Sequence, residues 1–397
     1  MIRKIFILRL FEFVKKIQTR MLSITVSKQL LLCKPVMIQY KIVILIFVIM
    51  QSNLHSSAQR IRQQKDTVGF ASKAWQMDSI MERLNQTYLN HYDSINLKSN
   101  INGNLTLRFA ICPHDDYTYA GFLYPEIFSR IKAKTVIIIG VAHKAKKFGI
   151  ENKIVFDTYD YWHAPYSNIT ISPLRNEIIK NLPGPDYIIH DSLQTEEHSV
   201  EAFVPFLQYY NRNAEIISIL VPYMPFGSMQ KFSDDLSVAV NKVMKEKNLK
   251  WGKDIAVVVS TDAVHYGDEK WGGKNYAPFG CDKPGYDKAV AFEKNIITEC
   301  LATCDTLGAK SFFGYTVQTN DWREYKWTWC GRYSVPFGML TAYKLQQLSG
   351  ETPLKSTITD YSTSIARKPL KVDDLKMGAT AVANLHHWVG YAVKGYE

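Results

Sequence analysis

Four short apolar runs, each rich in β-prone residues, decide what this chain can fold into. They occupy residues 105–112, 134–141 (with Val-Ile-Ile-Ile-Gly), 215–221 and 255–260 (Ile-Ala-Val-Val-Val-Ser). The last three read as near-continuous apolar stretches with little polar alternation. Such a strand is buried on both faces, as in a parallel sheet with helices above and below it. Between and after the runs, helical spacing fits residues 120–131, 200–211, 228–247, 286–302 and 335–348. The alternation predicts an α/β protein with a mainly parallel mixed central sheet flanked by helices on both faces. Residues 355–362 and 378–384 read as further strands, added antiparallel. Residues 59–104 are polar and read as a linker and first helix, with helical spacing from Trp75 to Leu84. Residues 105–397 then form the α/β domain.

The net charge of +11 resembles a nucleic-acid signal until it is located. Residues 1–58 hold nine Lys and Arg against the single acid Glu12, which is +8 of the +11. A basic leader explains that excess, and no nucleic-acid partner is expected. In the leader, Lys41 precedes a nine-residue apolar run from Ile42 to Met50, and Ser56-Ser57-Ala58 precedes Gln59. This is the layout of an export signal, with a run too short for a comfortable membrane span. Met37 is a natural start for such a signal. The expectation is an exported, periplasmic or extracytoplasmic protein that touches a membrane only through its N-terminal segment. An uncleaved anchor is the alternative. Of six cysteines, five would remain after cleavage, and an odd number leaves a free thiol. No four-cysteine zinc pattern occurs.

The polar residues cluster where the strands end. The first run is followed by Pro113-His114-Asp115-Asp116-Tyr117, and the second ends in Gly140-Val141-Ala142-His143-Lys144. Further on come Glu196-Glu197-His198-Ser199-Val200-Glu201, Thr261-Asp262-Ala263-Val264-His265-Tyr266-Gly267 and Cys330-Gly331-Arg332. In open α/β sheets the carboxyl ends of the strands form the crevice where ligands bind. One strand-end histidine is more often structural than functional; several together point to a site.

Taken in order, these five segments resemble the Memo family, whose bacterial and archaeal members are called AmmeMemoRadiSam system protein B. The resemblance covers roughly residues 105–390. It implies a fold similar to class III extradiol dioxygenases. It also implies a metal held by His114, His143 and Cys330, with His265, Asp262 and His198 at the catalytic positions. Two imidazoles and a thiolate suit copper or iron, with zinc as a further candidate, and leave an open coordination position. The function implied is a redox or oxygen-using enzyme acting on a small molecule or peptide in the crevice. A non-catalytic binder of metal, peptide or metabolite is the alternative, and a zinc-type hydrolase a third.

Some local expectations follow. Cys330 just ahead of a helix, with Arg332 two residues on, is expected to ionise readily. Asp262, three residues before His265, is expected to orient that ring and raise its pKa. Glu196, Glu197 and His198 are expected to open a helix, with Glu197 a candidate acceptor for a ligand histidine. The chain departs from the family pattern at Asp115-Asp116, Lys144 and Tyr266. The two aspartates make the mouth anionic and could add a metal ligand. Tyr117, Tyr119 and Tyr266 are candidate pocket residues. Asp157, Asp160 and His163 read as a loop over the pocket, residues 322–329 as a wall of the crevice, and His386-His387 as a surface pair.

Overall fold

A computed structural model describes residues 59–98 and 105–397. The basic leader, with the export signal expected in it, lies outside the described residues. Within them, the apolar runs become parallel neighbours. The spatial order is Ile169–Ile171, Glu215–Val221, Thr135–Val141, Ile255–Ser260 and Phe109–Cys112, with each step parallel. These strands belong to a 12-stranded mixed sheet. His387–Tyr396 extends it antiparallel to Phe109–Cys112, and itself pairs antiparallel with Ser356–Thr363 and His265–Gly267.

Period-two alternation sorts the strand residues between two cores. Ile111, Ile137, Ile139, Ile219 and Val259 face one, which is packed by helices Phe226–Glu246, Lys283–Cys300 and Ser334–Ser349. Ala110, Val136, Ile138, Leu220 and Val258 face the other, packed by Ala74–Lys98, Tyr124–Phe128 and Val204–Tyr210. All of these strand residues are fully buried, at roughly 1.5–3 kcal/mol for each large aliphatic side chain. Gly338 lets the Ser334–Ser349 helix lie directly on the sheet: a Cβ there would sit 2.1 Å from Val259 Cγ2.

The expected sheet strands 215–221 and 255–260 match the structure end to end. Two expected helices are broken instead. Residues 120–131 form two short helices, Tyr117–Ala120 and Tyr124–Phe128, with Gly121 at the break and Pro125 opening the second. Residues 200–211 start as a 3-10 turn at Glu201–Phe203, and Pro205 opens the following helix. Proline has no N–H to continue a helix begun upstream of it. The strand expected at 378–384 is absent; its place in the sheet is taken by His387–Tyr396. Cys112, Cys281, Cys300, Cys304 and Cys330 are all free thiols. Among the described residues no helix is long and apolar enough to cross a membrane.

Candidate metal centre

Three adjacent parallel strands deliver the site. Ile255–Ser260 is central, flanked by Phe109–Cys112 and Thr135–Val141. Each chain leaves its strand at the same edge, and two residues later come Asp262, His114 and His143 respectively. Cys330 arrives from the opposite direction. Trp329 bridges Val264, and Glu293 clamps the segment: its Oε1 accepts from Trp327 Nε1 at 2.5 Å and Trp329 Nε1 at 2.6 Å, while Oε2 accepts from Val264 N at 3.0 Å.

One donor atom from each of His114, His143 and Cys330 lies within 4.8 Å of the other two. Cys330 Sγ is 3.6 Å from His114 Nε2. The neighbours of the two rings decide which nitrogen each offers. Ser260 Oγ donates its one hydrogen to Ser199 O at 2.5 Å, so at its 2.8 Å contact with His114 Nδ1 it must accept. His114 therefore carries its proton on Nδ1 and presents a bare Nε2. Burial, then the charge of His143, push the His114 pKa well down and keep that ring neutral. At His143, Nδ1 lies 2.9 Å from Glu197 Oε1. Burial pushes Glu197 up, but the charge and hydrogen bond of His143, then the charge of His198 and the Ser199 N–H, outweigh it and leave the carboxyl at about 2. An ionised Glu197 accepts from Nδ1–H, so His143 also has Nε2 left for an ion.

The residues expected at the catalytic positions also converge here, in altered relationships. His198 stacks on His143 with ring centroids 4.9 Å apart, and burial lowers its pKa to about 4. Asp262 serves His114: its Oδ1 accepts His114 N–H at 2.9 Å, and Oδ2 lies 3.4 Å from His114 Nε2. Burial raises Asp262 to about 7. From His265 Nε2 it is 4.0 Å away, beyond hydrogen-bonding distance. His265 opens a strand paired to Val389 and stacks on Trp271. Its pKa falls to about 3 through burial and then the charge of His143, the reverse of the expected rise. The Cys330 expectation is reversed too. Burial, then Asp262, raise the thiol well above its usual value, although Asp262 N–H donates to Sγ at 3.1 Å. Arg332 is turned away, stacked on Tyr325 and donating to Arg323 O at 2.8 Å. A metal ion, in place of Arg332, is what would hold this sulfur as thiolate.

A cavity of about 320 Å³ adjoins the cluster, lined by His114, His143, His198 and His265, with Trp271 and His387. Asp115 and Asp116 also line it. Neither joins the cluster: Asp115 Oδ2 accepts from Tyr391 OH at 2.5 Å, and Asp116 Oδ2 accepts from Thr380 N at 2.6 Å. Burial first, then neighbouring carboxylates, raises both pKa values.

Several peripheral expectations are overturned. Glu196 ends the helix Asp191–Glu196 and Glu197 caps it, so these acids close a helix. Tyr119 lines the cavity, but Tyr117 and Tyr266 are buried in the core. Asp157 is buried in a pair with Arg175, away from the crevice. Trp327 and Trp329 are committed to Glu293, and other aromatics, Trp271 and Trp388, line the cavity. His386 is exposed beside Asp268, whereas His387 is buried, stacks on Trp271 and lines the cavity. Sequence reasoning missed Glu293 and Trp271, and gave no role to Ser260, which heads the strand-end segment of Asp262 and His265. Ser260 left a signal, as the one hydroxyl ending an otherwise apolar strand.

Fold and site together define an α/β protein with a mixed histidine–cysteine cluster in a crevice at the strand ends. A family model described as Memo-like protein matches residues 78–371, and the chain belongs to that family. It is 30% identical over 160 residues to a MEMO1 family protein of Aquifex aeolicus, covering 39% of this chain and 53% of the relative. The corresponding protein of Thermococcus kodakarensis is 29% identical over 163 residues, 40% of this chain and 53% of the relative. That of Thermococcus onnurineus is 25% identical over 263 residues, 64% and 79%. The chain thus spans about half the length of the first two of these relatives.

Proposed function

We propose that this protein holds a redox-active transition metal, copper or iron, through His114, His143 and Cys330, and uses it on a small molecule or peptide admitted to the crevice. The observation that carries this reading is the fixed tautomer of both rings: Ser260 and Glu197 occupy the two Nδ1 atoms, leaving Nε2 of each as the donor. Two imidazoles and a sulfur suit copper, iron or zinc and do not suit magnesium or calcium. Such a metal, when bound, supplies one-electron or Lewis-acid chemistry at its open position. The chain's own residues do the rest. Trp271 and His387 border the cavity, and His265 and His198 present neutral rings able to accept a hydrogen bond there. The basic, apolar leader supports an exported location for this chemistry.

The test is elemental analysis of protein purified without oxygen, wild type against Cys330→Ala. Copper or iron bound to the wild type and lost in the variant supports the reading; a wild type that takes up neither refutes it. One observation favours a second reading, a binder without turnover. Among the described residues His265 has no carboxylate within hydrogen-bonding distance, the partner an acid–base histidine commonly has. Oxygen uptake with catechol-like substrates, abolished in His265→Ala, would exclude the binder.

A further inference from the structure

Away from the crevice, three side chains distant in sequence converge, one imidazole facing two carboxyl groups. His91 lies on the Ala74–Lys98 helix, Glu126 on Tyr124–Phe128 and Asp360 on strand Ser356–Thr363. One donor atom from each lies within 4.8 Å of the other two. His91 Nε2 is 2.8 Å from Glu126 Oε1 and 3.2 Å from Asp360 Oδ2. A single N–H cannot serve both carboxylates. Glu126 is 1% exposed, and beyond a proton the two carboxyl groups share, neither its Oε2 nor Asp360 Oδ2 has a hydrogen-bond donor. Among the described residues no lysine or arginine reaches either carboxylate within 4 Å. Arg130 is directed to Glu126 O, Ser129 Oγ and Asn96 Oδ1, and Arg367 packs over Phe122.

From this geometry we infer a second metal site, in which His91 Nε2, Glu126 and Asp360 bind a divalent first-row cation such as zinc. Donors around a tetrahedral zinc at about 2.0–2.1 Å stand about 3.3 Å apart, near the 3.2 Å spacing to Asp360 and wider than the 2.8 Å spacing to Glu126. A cation accepts a lone pair from each group, so the contest for one hydrogen disappears and the orphaned oxygens gain a counter-charge. Two carboxylates and a neutral imidazole balance a divalent charge. This harder donor set contrasts with the thiolate set at Cys330 and would load independently of it. The trio lies near the surface, with the His91 and Asp360 side chains 17% and 22% exposed. Without a cation the trio must retain protons instead: Asp360 and then Glu126 hold His91 up at about 9, and burial pushes Glu126 up to about 8.

The full chain carrying Cys330→Ser and His143→Gln is stripped of metal and dialysed against zinc. It should still bind zinc and gain thermal stability from it. Adding Glu126→Gln, Asp360→Asn or His91→Gln singly should weaken that zinc by more than the ~10–100-fold that altering an outer partner costs. Zinc binding unaffected by all three changes, or no zinc binding and no thermal shift in the parent, overturns the proposal. The parent keeps its trio intact, so the absence of a thermal shift there overturns the proposal even if a trio variant fails to fold.

Discussion

Replacing Glu197 with glutamine tests how the crevice cluster is held. Glu197 is 2% exposed. Its Oε1 accepts from His143 Nδ1 at 2.9 Å, His198 N at 2.9 Å and Ser199 N at 3.1 Å, and its Oε2 accepts from His143 N at 2.6 Å. Glutamine keeps one acceptor oxygen. With that oxygen in the Oε1 position, the amide NH2 meets the His143 backbone N–H, donor against donor. Flipped, it abandons three donors. The milder orientation leaves one buried N–H unsatisfied, a cost of about 1–3 kcal/mol in stability. The His143 ring also loses a charge-assisted partner, and an outer partner of a ligand histidine is worth about 10–100-fold in metal affinity. Thermal unfolding of the metal-free protein measures the first effect, and titration against a competing chelator measures the second. A folded Glu197→Gln protein with wild-type affinity for copper, iron and zinc would refute the assignment of Glu197 as the group that orients His143.

Three further outcomes are expected. Ser260→Ala removes the acceptor that keeps the proton of His114 on Nδ1, so nitrogen NMR of the metal-free protein should show the ring populating both tautomers, with metal affinity down about 10-fold or more. Lys394 is buried, bonds Thr359 Oγ1 at 2.7 Å, and is lowered to about 8 by desolvation from its ordinary 10.5. Between those values the unfolded chain holds the extra proton, so stability rises with pH across the window. Lys394→Met should therefore be more stable than wild type at pH 7, by roughly 1–3 kcal/mol, with the gain shrinking toward pH 10.5 in urea unfolding. Gly338→Ala places a methyl 2.1 Å from Val259 Cγ2, and should cost about 1–3 kcal/mol in the same assay by lifting the helix off the sheet.

The strands were legible because burial on both faces leaves little room for polar residues, and Glu215–Val221 and Ile255–Ser260 could be delimited from that alone. The C-terminal strand was harder. His387–Tyr396 begins with histidine and tryptophan and carries Lys394, so it does not read as uniformly apolar, although it is buried almost throughout. The site was legible as a set of strand ends, because a parallel sheet carries successive chain exits to one edge. Which side chain serves which partner was not. Asp262 and His265 are three apart in sequence, yet the backbone enters a strand between them and gives the carboxylate to His114. Arg332 follows Cys330 by two residues but points into an aromatic cluster with Tyr325. The trio of His91, Glu126 and Asp360 was invisible for a related reason, since no local pattern links positions so distant.

X-ray absorption at the metal edge, on protein loaded with copper or iron, tests the central claim most directly. The account predicts one sulfur and two imidazole nitrogens bound to the metal, at distances of the order zinc keeps to such ligands, about 2.3 Å and about 2.0 Å, with the sulfur absent in Cys330→Ser. A shell of nitrogen and oxygen alone in the wild type, unchanged by that substitution, would contradict it.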